Sequence, residues 1–90
     1  MIYVGIDAAK DKHDCCILGG NGQTVQEEFT FRNNHEGFEQ LKTAIQRNSE
    51  AEGSGQIKAG LESTGHYSGN LEAFLRDSGV EPVVFTPLQV

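Results

Sequence analysis

Apolar runs in this ninety-residue chain never exceed four residues, as in Cys15-Cys16-Ile17-Leu18. A membrane helix needs about 20, so no membrane partner is expected. The chain opens straight into Ile2-Tyr3-Val4, with no basic region and no small-residue cleavage site. A signal peptide is therefore not expected, and a cytoplasmic location is. Cysteine is almost absent. The only two, Cys15 and Cys16, are sequence neighbours that point to opposite sides of a strand, a poor geometry for a disulfide. Reduced thiols, one of them in the core, are the expectation. His13, Cys15, His35 and His66 lack zinc-ligand spacing. Basic residues are few, 7 Lys and Arg against 13 Asp and Glu, a net charge of −6. That balance excludes a protein that wraps nucleic acid by bulk electrostatics, which needs a basic face. It is compatible with a nuclease-type centre, where carboxylates hold metal ions and the metals meet the phosphate.

What is present suffices for one core. Leu, Ile, Val and Phe make up 22 residues, about 24% of the chain and above the roughly 20% below which disorder prevails. A chain this short buries only about 60–65% of its unfolded surface, so two independent cores are excluded and residues 1–90 are expected to form a single domain.

Residues 2–7 read as a buried strand ending on Asp7, and Lys12 to Leu18 as a second strand. Gly19-Gly20-Asn21-Gly22 is a turn. Thr24 to Arg32 alternates, with Val25, Glu27, Phe29 and Phe31 on one face and Gln26, Glu28, Thr30 and Arg32 on the other. Glu27 breaks the apolar side, which suggests an edge strand with a solvated end. Asn33 or Asn34 caps a helix, and Asn33 with Glu36 has capping-box spacing. Phe38, Leu41 and Ile45 form its apolar stripe. Glu36 and Glu39 near its start and Lys42 and Arg47 near its end suit the helix dipole. Residues 48–55 are polar and small and read as a surface loop. Ile57 to Leu61 is a fourth strand ending at Glu62. After a turn at Ser63-Thr64-Gly65, a second helix carries Tyr67, Leu71, Phe74 and Leu75 on one side and ends at Gly79. Pro82 to Phe85 is a fifth strand, ended by Pro87. No internal repeat is evident.

The order βββαβαβ with right-handed crossovers makes strands one, four and five parallel neighbours. The hairpins place strands two and three beside strand one, giving the sheet order 3-2-1-4-5. This is the ribonuclease-H-like α/β layout. Strand order reverses between strands one and four, so a ligand site is expected beyond their carboxyl ends. Asp7 and Glu62 occupy that place. Adjacent strands lie about 4.8 Å apart, close enough for two carboxylates to share a cation. Such hard oxygen ligands select Mg²⁺ or Mn²⁺, and two ions about 3.5–4 Å apart would serve phosphodiester chemistry. Spacing alone leaves a second reading open, in which both acids are ordinary strand-end residues near solvent.

Val4-Gly5-Ile6-Asp7-Ala8-Ala9-Lys10, followed by Leu61-Glu62-Ser63-Thr64-Gly65-His66-Tyr67, resembles the DEDD-type insertion-sequence transposases, the group that includes the piv DNA invertases. Leu71-Glu72-Ala73-Phe74-Leu75 and the stretch from Gly79 to Pro87 are also similar to that family, so the resemblance covers nearly the whole chain. The Glu-Ser-Thr-Gly-x-Tyr segment is its more specific part. The resemblance implies a RuvC-like domain in which four acids coordinate Mg²⁺ for DNA cleavage and strand transfer. Asp7 corresponds to the first acid and Glu62 to the second. The last pair follows the segment matching Thr86 to Val90, so the chain is expected to be a C-terminally truncated RuvC-like catalytic domain, inactive alone. Members usually carry Asn where this chain has Thr86. The resemblance also implies DNA as partner, a homo-oligomer in the full-length protein, a C-terminal domain with a nucleophilic serine and, in some members, a structured guide RNA. The serine and the guide RNA cannot be placed on these residues.

Lys10 could contact phosphate or be a solvated lysine after a strand. Thr64 and Gly65 could offer N–H groups to a phosphate or simply start a helix. His66 and Tyr67 could touch nucleic acid, although Tyr67 heads the apolar stripe and fits the core. Asp11 and Asp14 read as solvated strand positions. Two other functions compete. A sugar-kinase or actin-like ATPase lobe shares this strand order, but needs a small Gly/Thr/Ser hairpin after the Asp; here Ala8-Ala9-Lys10-Asp11-Lys12 follows, with no glycine before Gly19. A non-catalytic dimerisation or RNA-docking module also fits the acidic balance.

Overall fold

The computed structural model describes residues 1–53, 55–63 and 67–85. Seven elements follow in order: β1 (Ile2–Ala8), β2 (Lys12–Leu18), β3 (Thr24–Arg32), α1 (His35–Ala51), β4 (Ile57–Ser63), α2 (Gly69–Asp77) and β5 (Pro82–Phe85). They build one five-stranded sheet in the order β3-β2-β1-β4-β5. β1 pairs antiparallel with β2 and parallel with β4, and β4 pairs parallel with β5. This is the expected ribonuclease-H-like α/β arrangement.

The steps from β1 to β4 and from β4 to β5 run the same way across the sheet. Right-handed crossovers therefore put α1 and α2 on the same face. Alternation then sorts each strand. Ile2, Val4, Ile6 and Ala8 of β1, Cys15 and Ile17 of β2, and Ala59 and Leu61 of β4 turn inward and are buried. They meet Phe38, Leu41, Ala44 and Ile45 of α1 and Leu71 and Leu75 of α2 in one core. The two helices touch through Phe38 and Phe74, whose ring centroids lie 5.2 Å apart. Neither helix covers the opposite face. Among the described residues, no helix is long and apolar enough to cross a membrane.

Several local expectations are corrected. Asn34, not Asn33, caps α1, its side chain accepting from the Gly37 N–H at 2.8 Å. Asn33 instead ties the helix start to the β1–β2 turn, donating through Nδ2 to the Lys10 carbonyl and through its backbone N–H to that of Asp11. The helix entry is tight: a Cβ on Gly37 would run into the Arg32 carbonyl oxygen. The polar stretch read as a loop from residue 48 continues α1 to Ala51, so its last turn holds no base. Asn48 is buried there, with Nδ2 donating to the Ala44 carbonyl and to Gln26 Oε1. A satisfied amide packed against β3 extends the helix where composition alone suggested a loop.

In β3 the pairing with β2 slips twice between Phe29 and Thr24. The irregularity leaves Glu27 and Glu28 exposed. It sets Gln26, expected outside, opposite the inward-facing Ile17, where it accepts from Arg47 and Asn48 of α1. α2 begins only at Gly69, and Tyr67, expected in the core, precedes it and is 44% exposed. Gly79, at φ +84°, follows the helix end as anticipated; that left-handed conformation suits glycine.

Candidate functional site on the open sheet face

One rung crosses all five strands. Thr30 of β3 lies opposite Asp14 of β2, Asp14 opposite Asp7 of β1, Asp7 opposite Glu62 of β4, and Glu62 opposite Phe85 of β5. All five belong to the face that the helices leave open. Asp7 is there because Ile6 and Ala8 point into the core, and Glu62 because Leu61 and Ser63 do. The two predicted site residues are thus brought to adjacent positions at the carboxyl ends of β1 and β4.

They line a cleft of about 480 Å³ together with Asp14, Glu28 and Phe85, floored by Gly5 and Gly60. Asp14, read from the sequence as a solvated strand position, is half-buried beside Asp7. Its Oδ1 accepts from the Thr30 hydroxyl at 2.6 Å, which orients the carboxylate. The signal for it was the β1–β2 hairpin: pairing Ile6 with Cys15 puts Asp14 against Asp7. The neighbouring glycines were also missed. Gly5 and Gly60 face each other across β1 and β4. A Cβ on Gly5 would come no nearer than 3.9 Å to another group, and one on Gly60 would meet Phe85 at 3.5 Å. Chain packing does not require either glycine; both leave the cleft floor bare, as where a ligand comes close to backbone.

His13 holds the end of β1 in place from the buried side. It is 1% exposed, its ring lies 5.2 Å from that of Phe31, and its Nδ1 accepts from the Ala9 N–H at 3.1 Å. Cys15 is buried and Cys16 half-buried, both as free thiols. Burial, with a smaller contribution from Cys16, pushes the Cys15 thiol up from 9.0 to about 12. Lys10 and Asp11 are exposed in the β1–β2 turn. Thr64, Gly65 and His66, and the segment from Thr86 to Val90 with its Pro87, lie outside the described residues.

Asp7, Glu62 and Asp14 are hard oxygen donors that suit Mg²⁺ or Mn²⁺. Among the described residues no three His, Cys, Asp or Glu side chains are grouped so as to hold one ion. The donor set is therefore partial. It fits a cation of the Mg²⁺ kind, which is commonly held by one or two carboxylates and keeps several waters.

The topology and the carboxylate pair at its switch point define a ribonuclease-H-like domain. A transposase family of the DEDD, IS110 type matches residues 4–90, and the chain belongs to that family. Solved structures with a similar fold include a ROK family glucokinase from Streptomyces griseus in complex with glucose and AMPPNP, at 16% identity and a TM-score of 0.57, covering 96% of this chain and 33% of that one. The ethanolamine utilization protein EutJ from Carboxydothermus hydrogenoformans is similar at 18% identity and 0.53, covering 96% and 36%. The Aquifex aeolicus member of the Ppx/GppA family is similar at 15% and 0.51, covering 97% and 35%. The chain thus spans about a third of each, and at these identities the likeness concerns the fold alone. Curated proteins provide no match.

Proposed function

We propose that this chain is the N-terminal part of a DNA transposase or recombinase and that Asp7 and Glu62 are the first two carboxylates of its metal centre. The supporting observation is their pairing across β1 and β4, at the end of an open cleft, in a member of a DEDD transposase family. Acids crowded at one cleft repel a phosphodiester unless a cation lies between them. A bound Mg²⁺ or Mn²⁺ would supply Lewis acidity and an activated water or 3′-hydroxyl there. The chain's own part is to hold the two carboxylates on rigid neighbouring strands, with Asp14, fixed by Thr30, beside them.

Because the donor set is partial, we assign the remaining acids to residues outside these ninety and expect the chain alone neither to cut nor to join DNA. DNA is the proposed substrate; no residue here is assigned to a guide RNA or to self-association. The glucokinase likeness does not favour a nucleotide-binding lobe, since Ala8-Ala9-Lys10-Asp11 after the strand offers no glycine to approach phosphates.

Mn²⁺ titration followed by paramagnetic broadening of backbone amides tests the centre. Broadening should focus on Asp7 and Glu62, and Asp7→Ala or Glu62→Ala should weaken it about tenfold or more without unfolding the sheet. Unaltered broadening in both variants would remove the assignment. A longer chain carrying downstream acids should gain Mg²⁺-dependent cleavage that Asp7→Ala abolishes. Cleavage by the ninety residues alone, surviving Glu62→Ala, would overturn the reading.

A further inference from the structure

One rung beyond Asp14 and Thr30, on the same open face, Lys12 lies directly opposite Arg32. Two residues along a strand cover about 6.6–6.8 Å, so this pair borders the carboxylate rung. Both side chains are exposed. Among the described residues, neither forms an ion pair, although acids outnumber bases 13 to 7. Like charges directly opposite each other oppose strand pairing, so folding does not account for the two cations. They also line a concavity of about 340 Å³ that turns round the edge strand β3 onto the helix side, where Phe31, Asn34, Gln40 and a single acid, Glu36, line it. Gly37, also lining it, lets the positive end of that seventeen-residue helix abut the Arg32 backbone. The adjoining turn adds a third exposed cation, Lys10, and one exposed acid, Asp11, so cations still outnumber acids at this end of the sheet.

We infer that Lys12 and Arg32 form a backbone clamp for DNA, gripping a phosphodiester that flanks the group to be cut. The inference rests on the proposed DNA-processing role and adds the direction of the strand: it leaves the Asp7–Glu62 rung toward the β1–β2 turn and edge strand β3, not toward β5. The fork of Arg32 suits two phosphate oxygens, while Lys12 contributes a point charge. The pair is a positioning device and takes no part in bond cleavage.

Amide NMR titration of the chain with a short DNA duplex, at low salt and with metal chelated, tests this. Shifts should concentrate at Lys12, Arg32 and Gly37. Lys12→Gln with Arg32→Gln should weaken binding at least fivefold and flatten the log–log salt dependence by about 0.9 for each phosphate that is no longer neutralised. Its melting temperature should not fall, and Mn²⁺ broadening at Asp7 and Glu62 should persist. Lys58→Gln, at the other end of the open face, should leave affinity unchanged. An unchanged affinity and salt slope in the double variant, or an equal loss in Lys58→Gln, would overturn the clamp. Failure of Mn²⁺ to broaden Asp7 or Glu62 in the unaltered chain would instead strike the metal centre, so the two failures are distinct.

Discussion

The backbone N–H of Ala9 donates to Nδ1 of His13 at 3.1 Å, locking the turn that follows Asp7 to the buried side of β2. The other ring nitrogen of His13, Nε2, is buried and finds no partner among the described residues. His13→Leu fills the space but orphans the Ala9 N–H. Ala9 is exposed, so its N–H can turn to water, and a loss no larger than the net contribution of one hydrogen bond, about 0.5–1.5 kcal/mol, is expected, together with faster hydrogen exchange at Ala8 and Ala9. Urea unfolding measures the first, and exchange rates unchanged from those of the unaltered chain would refute the second.

Leu75 is fully buried where α2 meets the sheet. Leu75→Ala should cost about 2–5 kcal/mol, a large share of what so small a domain holds. Unchanged denaturant stability would mean that α2 does not dock on this core.

The Cys15 thiol carries a pH signature. Its folded value, about 12, exceeds the ordinary 9.0 because burial disfavours the thiolate. Between those values the unfolded chain has released a proton that the folded chain keeps. Stability from this group is therefore complete below pH 9 and is lost as pH rises toward 12, at up to about 1.4 kcal/mol per pH unit. Urea midpoints measured from pH 8 to 10.5 should fall less steeply in Cys15→Ala. Parallel slopes in the two proteins would contradict the assignment.

Alkylation should separate the two thiols. Cys16, half-buried on the open face, should react in the native state, and Cys15 only after unfolding. Mass spectrometry after a brief iodoacetamide pulse distinguishes them, and equal labelling would mean that β2 is out of register.

Substitution of Lys12 should have the opposite sign to the core variants. Lys12→Gln relieves a like-charge pair with Arg32 and should raise stability by about 0.2–1 kcal/mol, even as DNA binding weakens. A fall in the urea midpoint would mean that Lys12 supports the hairpin.

The strand order could be read along the chain because its determinants are local: alternating apolar residues, a glycine-rich turn, two helix stripes and the right-hand rule together leave one arrangement. Asp7 and Glu62 were legible for the same reason, since each closes a strand that the order places at the switch point. Tyr67 and the length of α1 were not. A stripe of apolar spacing does not reveal where a helix begins, and Asn48 reads as a loop residue until Gln26 arrives from β3 to satisfy it.

The roles of Asp14, Gly5 with Gly60, and Lys12 with Arg32 arise from pairing between strands. None of them has a distinctive neighbour in the chain; each acquires meaning from the residue facing it across about 4.8 Å of sheet. Register sets those partners, and in β3 it slips at the irregularity beyond Phe29. The composition and periodicity of the ninety residues are enough to specify the fold and to bring two acids together at the carboxyl ends of two neighbouring inner strands. The surroundings of those acids, a braced third carboxylate, a bare glycine floor and an unpaired cationic rung, exist only once five strands lie side by side, because side-chain proximity across a sheet is a property of pairing and not of any single segment.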